Sequence, residues 1–307
     1  MSRHFKYSPV FAKLSALAIS IMALSGTAWG ADGETYPTRF TNIGGITNTR
    51  HNLTQSPTGI SNAMMTVRNN YGEVCVYCHT PHGANENIAA PLWNRTFKNN
   101  TYTTYENLKS STITQVISQP GPNSLTCLSC HDGTVAIDSI VNMPGSGRYS
   151  EANKTSHQES FLDAWPGGSA KHVAVGGGSL GGTTCMSCHT GPDGSEVATD
   201  FTAFYIGTDL SNDHPVGIVL PEGRIGVDFA DPGVRGTSLA YYDRDADNKA
   251  DSNEIRFYKT GGNYKVECAS CHDPHGVPSG GEGSVNNPSF LRVNNQNSAV
   301  CLTCHDK

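Results

Sequence analysis

The sequence predicts a mostly irregular chain, with short α-helices and a few short strands, folded around large bound groups instead of a single apolar core. Three observations lead there. The 33 Gly and 16 Pro make roughly a sixth of the 307 residues, against about 12% in an average protein, which disfavours long helices and wide sheets. Hydrophobic residues reach only 36%, too little for so irregular a chain to offset its ordering entropy by apolar burial alone. Ten Cys and twelve His supply the chemistry that resolves the shortfall.

The amino terminus reads as an address. Arg3, Lys6 and Lys13 precede a short apolar run from Leu14 to Leu24, and Ala28-Trp29-Gly30 offers small residues for cleavage. This is the pattern of a secretory signal peptide over residues 1–30. The run is about half of the roughly 20 apolar residues that span a bilayer. Residues 31–307 are then expected to form one exported domain with no integral membrane span. The formal charge is -6 and becomes more negative without those three cations. An acidic surface excludes nucleic acid as a partner, because no basic patch is available to meet phosphate.

Ten cysteines in an exported chain ordinarily point to disulfides, but the spacing here argues otherwise. Every Cys belongs to a Cys-x-x-Cys-His unit: Cys75, Cys78 and His79; Cys127, Cys130 and His131; Cys185, Cys188 and His189; Cys268, Cys271 and His272; Cys301, Cys304 and His305. Two thiols at this spacing add to the two vinyl groups of one haem, while the adjacent His places its imidazole on the iron. Zinc also takes paired cysteines, but has no need of a His after every second one. The sequence therefore predicts five covalent haem c groups, with His79, His131, His189, His272 and His305 as proximal ligands. The haems themselves supply the hydrophobic core.

Beyond those five and His4, six histidines remain: His51, His82, His157, His172, His214 and His275. They exceed the five open axial positions by one, which favours bis-His ligation throughout and electron transfer in place of substrate binding. His82 and His275 occupy the same tail, Cys-His-x-Pro-His-Gly, and so form an internal repeat. Neither can reach round to the far side of its own motif's iron, so each is expected to ligate an adjacent haem. His51, His172 and His214 complete the distal set, and His157, among Ser, Gln and Glu, is the spare.

Asp243 to Glu254 reads as a calcium loop. Asp243, Asp245, Asp247, Asp251 and Glu254 stand at positions 1, 3, 5, 9 and 12, with the Lys249 carbonyl at position 7. Asn248 takes the place of the usual Gly at the sharp turn, a position it tolerates. The flanking Tyr241-Tyr242 and Ile255 to Tyr258 look like strands, so the longest gap between motifs should form a small lobe with a short hairpin. Helices of one to three turns are expected around each motif and over Tyr105 to Ser118, and Gly176 to Gly182 as a flexible surface loop.

The Cys-His-Thr-Pro-His-Gly segment followed by Pro91-Leu92-Trp93-Asn94, the Cys-Leu-Ser-Cys-His-Asp-Gly-Thr block at 127–134, the His51-Asn52-Leu53 segment and the ending Cys-x-x-Cys-His-Asp-Lys resemble the exported multihaem c-type cytochromes of metal-reducing bacteria. Within that group the chain is most similar to the Omc-type outer-membrane cytochromes that polymerise into extracellular filaments. The resemblance implies a multihaem cytochrome c fold, in which closely spaced bis-His haems alternate between stacked and T-shaped pairs. It also implies head-to-tail assembly in which one haem takes its distal His from a neighbouring protomer, a role that would fall to His51.

The leading functional expectation is an extracellular electron conduit at or beyond the cell surface. Its partners are further copies of itself, other multihaem cytochromes and extracellular acceptors such as metal oxides. A monomeric periplasmic carrier is the alternative. A multihaem reductase with one open iron is a third, disfavoured because all five motifs end in His.

Overall fold

The computed structural model describes residues 45–49, 51–53, 71, 73–96, 98–142, 204–277 and 290–306. The segment 1–30, the Gly176 to Gly182 stretch, the third motif (Cys185, Cys188, His189), His157 and His172 lie outside the described residues. Irregular backbone dominates, punctuated by short helices and one small antiparallel sheet. No helix among the described residues is long and apolar enough to cross a membrane.

The helices follow the haem motifs. Cys75–Tyr77 forms a single 3-10 turn. Pro122–His131 (α2) is the longest helix, begun by Pro in its first turn, where a missing N–H costs nothing. Cys268–Cys271 (α3) opens with a capping box between Glu267 and Ser270, and Ala299–Leu302 (α4) carries the start of the last motif. Away from the motifs, the α-helix Tyr105–Leu108 (α1) starts at Thr104, whose side chain and that of Asn107 cap reciprocally. The helix expected to run on to Ser118 ends here. Lys109 adopts a left-handed conformation, and Thr112 bonds back to the Ser110 hydroxyl instead of continuing the helical ladder.

Gly233–Arg235 (β1), Leu239–Tyr242 (β2), Arg256–Thr260 (β3) and Asn263–Lys265 (β4) form an antiparallel meander in that order. This is a larger element than the single hairpin expected. The β3–β4 register pairs Thr260 with Asn263 across Gly261-Gly262. Both glycines have positive φ, as a two-residue turn matched to strand twist requires.

No single apolar core joins the described residues. Three small clusters form instead, each against a motif. Tyr71, Val76, Tyr77 and Ile140 enclose the first; Tyr102, Leu128 and Leu210 the second. Leu220, Ala240, Tyr242, Ile255, Phe257 and Val293 back the fourth and fifth through Cys271 and Cys304. Val76, Tyr77 and Leu128 are themselves inner residues of Cys-x-x-Cys units, so what the motif leaves between its thiols anchors it to the protein.

Candidate functional site

The short helices set the geometry of each motif. On α2, Cys127, Cys130 and His131 fall on consecutive turns, and the His131 Nδ1–H donates to the Phe204 carbonyl at 2.7 Å. The His79 Nδ1–H donates to the Pro91 carbonyl at 2.9 Å, within the Pro-Leu-Trp-Asn segment noted above. A carbonyl only accepts, so both rings carry the proton on Nδ1 and keep Nε2 as the metal-binding nitrogen.

Two histidine pairs face each other. His79 and His275 lie with ring centroids 6.3 Å apart and planes 12° apart. His51 and His131 lie 6.1 Å apart with planes at 70°. Iron–nitrogen bonds of about 2.0 Å, plus ~1.1 Å from each nitrogen to its ring centre, put two coaxial imidazoles about 6.2 Å apart. Both separations fit one iron between each pair. His51 further donates its Nδ1–H to the Pro274 carbonyl at 3.0 Å and stacks on Phe290 at 4.5 Å. Burial first, then the His131 charge, lower its pKa to about 4, so the ring is neutral at physiological pH, as a ligand must be. The His131 imidazole is lowered as well, chiefly by burial.

His51 packs against His131 of its own chain, held by the Pro274 carbonyl and Phe290. His275 sits, as its repeat tail suggested, not with its own motif's His272 but with His79. Its counterpart His82 is exposed and makes no ring contact among the described residues. His214, bonded to the Pro215 carbonyl, has a pKa lowered by the protein atoms crowding it and then by His305 nearby.

The motifs also neighbour one another through their sulfurs. Burial and then the neighbouring Cys130 raise the Cys78 thiol, and burial and then Cys304 raise that of Cys271. Cys127 and Cys268 are within hydrogen-bonding reach; this contact raises the first thiol and lowers the second, and α2 packs on α3. The described motifs therefore adjoin first to second, second to fourth and fourth to fifth, and the His79–His275 pair joins first to fourth. Cys75 and Cys301 are exposed, while the other described cysteines are partly covered.

Other residues complete the fit to haem. Trp93 packs edge-on to His79 at 5.8 Å, and its Nε1–H is the one buried side-chain polar atom without a partner among the described residues. A buried donor of this kind is costly, and a haem held by His79 brings carboxylate acceptors to its neighbourhood. Arg95, fully buried, donates to the Ser129 hydroxyl and to the Ser129, Ala136 and Ile137 carbonyls, fixing the inner residues of the second motif. Of these groups the sequence marked only Trp93, within a motif. The carbonyls of Pro91, Phe204 and Pro274 leave no trace in side-chain identity.

The acidic loop joins β2 to β3, between strands as expected. Asp243, Asp245 and Asp247 bring carboxylate oxygens within 4.8 Å of one another, and Asn248 has φ 61° at the sharp turn. Glu254 is buried and accepts from the Arg244 and Asp251 N–H groups. The Lys249 ammonium pairs with Asp247 at 2.7 Å.

Residues 262–307 match the family model described as a doubled CXXCH motif. Such a doubled motif indicates covalently bound haem c and points to a multihaem c-type cytochrome, an electron carrier. No curated protein matches the chain.

Proposed function

We propose that this chain is an exported pentahaem electron-transfer protein whose bis-His haems form a continuous conduit, extended by head-to-tail polymerisation into an extracellular filament. One observation carries the reading: the His79–His275 and His51–His131 pairs, each spaced to take one iron. The haems supply one-electron chemistry when bound. The protein's part is to hold them. The cysteine pairs tether the rings, and His275 and His51 close the sixth position of the first and second. His214 is the candidate for the fifth, supported by its proximity to His305. An iron with both axial positions filled has no place for substrate, which favours transfer over catalysis.

The contacts between the described motifs support a continuous path through the molecule. The conduit's partners are further copies of the chain, other multihaem cytochromes and metal oxides outside the cell. A calcium ion at Asp243, Asp245 and Asp247 belongs to the same reading as a structural ion of the β2–β3 connection, tested by loss of thermal stability on chelation.

The experiment is secretion from a host that matures c-type cytochromes, followed by intact mass, absorption spectroscopy and negative-stain microscopy. Five haems, a wholly low-spin spectrum unchanged by cyanide or nitrite, and filaments are expected. A high-spin iron that binds nitrite would replace the conduit with a reductase; a uniform low-spin monomer would replace it with a soluble carrier.

A further inference from the structure

Five described histidines have a defined partner for Nδ1, and four of those partners are backbone carbonyls: Pro274 for His51, Pro91 for His79, Phe204 for His131 and Pro215 for His214. His275 differs. Its Nδ1–H donates to the Asp273 carboxylate, 3.2 Å from Oδ1, and its backbone N–H donates to the same oxygen at 3.0 Å.

The carboxylate is held in place from its other side. Arg292, buried, donates from Nη1 to Asp273 Oδ2 at 2.9 Å, and its remaining contacts, to the Ser252 and Ala269 carbonyls, lock the guanidinium. The first copy of the repeat tail has Thr80 at the same place, and its hydroxyl donates to the His82 carbonyl instead. The difference between the two tails is therefore one acceptor of full negative charge.

We infer that Asp273 acts through His275 as a positioning residue that makes the haem shared by His79 and His275 the most reducing of those whose ligands the structure describes. This rests on the reading that those two histidines share an iron. A carboxylate drawing on the Nδ1 proton gives the imidazole imidazolate character, so it donates more strongly to iron and favours the ferric state. Backbone carbonyls, neutral acceptors, do this less. The consequence is directional: transfer from that haem to the one shared by His51 and His131 is downhill.

The test is potentiometric titration of the full haem-loaded protein, as wild type and as Asp273→Asn, Arg292→Gln and His275→Ala. Asp273→Asn is expected to leave every haem low-spin and to ease reduction of one haem at least tenfold, about 59 mV for one electron. Arg292→Gln, which breaks the same ion pair but leaves the carboxylate unopposed, is expected to shift that haem the opposite way; general loosening of the fold would move both variants alike. The pair also covers the case in which Asp273→Asn fails to mature, since an absent or upward shift in Arg292→Gln overturns the inference by itself. Unmoved potentials in Asp273→Asn, with one haem turned high-spin by His275→Ala, reject the role of Asp273 and leave the ligand pair standing. Low-spin haems throughout in His275→Ala reject the ligand pair, and the inference with it.

Discussion

His79 and His275 come from the first and fourth motifs, yet their imidazoles lie 6.3 Å apart with planes 12° from parallel. The second pair, His51 and His131, has nearly the same separation but planes at 70°. Like separation with unlike twist is what two irons with the same ligands and different electronic structure need.

That difference is directly observable. Parallel imidazole planes act on the same iron d orbital and split the pair it belongs to; crossed planes act on both and leave them nearly equal. The ferric protein is therefore expected to show a rhombic low-spin EPR signal from the His79–His275 haem and a separate, highly anisotropic one from the His51–His131 haem. His275→Ala should remove the first and spare the second. A spectrum with one class of low-spin signal speaks against these two geometries.

Arg95 tests how far polar bonding replaces an apolar core. Its side chain donates to the Ser129 hydroxyl and to the Ser129, Ala136 and Ile137 carbonyls; Met would orphan the Ser129 and Ile137 carbonyls, while Ala136 keeps the Ser139 N–H and the Ser129 hydroxyl keeps Thr126. Arg95→Met is expected to cost about 3 kcal/mol or more in denaturant unfolding, since each orphaned buried acceptor costs about 1–3 kcal/mol. A loss below about 1 kcal/mol would show that the second motif is held by its haem alone.

Glu267 gives a pH dependence of known sign. Its carboxylate is buried, accepts from the Gly121 N–H and the Ser124 hydroxyl, and lies so close to Gly121 that a Cβ there would collide with Oε1. Burial raises its pKa above the ordinary 4.5, against the pull of Ser124, Gly121 and Lys265. Because the folded value is raised, the fold favours the protonated acid. That contribution is complete below pH 4.5 and is lost as pH rises through the folded value. Glu267→Gln cannot ionise, so its Tm relative to wild type should climb as pH rises from 4.5. A fall over that range would contradict the assignment.

Much of this arrangement was legible in the sequence because haem attachment is written in covalent spacing. The Cys-x-x-Cys-His units located the short helices, and the duplicated Pro-His-Gly tail set His275 apart from its own motif, where the structure places it beside His79. The strands beside the acidic loop were legible from Tyr241-Tyr242 and Ile255 to Tyr258. The wider meander was not, because β1 and β4 are three residues each and carry no alternation to detect. The pairing of particular histidines was equally hidden. It depends on backbone carbonyls such as Pro274, which brings His51 beside His131, and carbonyls are common to every residue type. Asp273 lies between these cases: the Asp-Pro-His spacing is visible, but its charge matters only because Arg292 holds it.

Paired ligation is tested most directly by counting high-spin haems in His51→Ala, His275→Ala and the double variant, all haem-loaded, by absorption and magnetic circular dichroism with and without cyanide. Each single variant is expected to convert one haem to a high-spin, cyanide-binding form, and the double variant two. Retention of a fully low-spin spectrum in either single variant would mean that another residue supplies that ligand, and the arrangement described for that iron would be wrong.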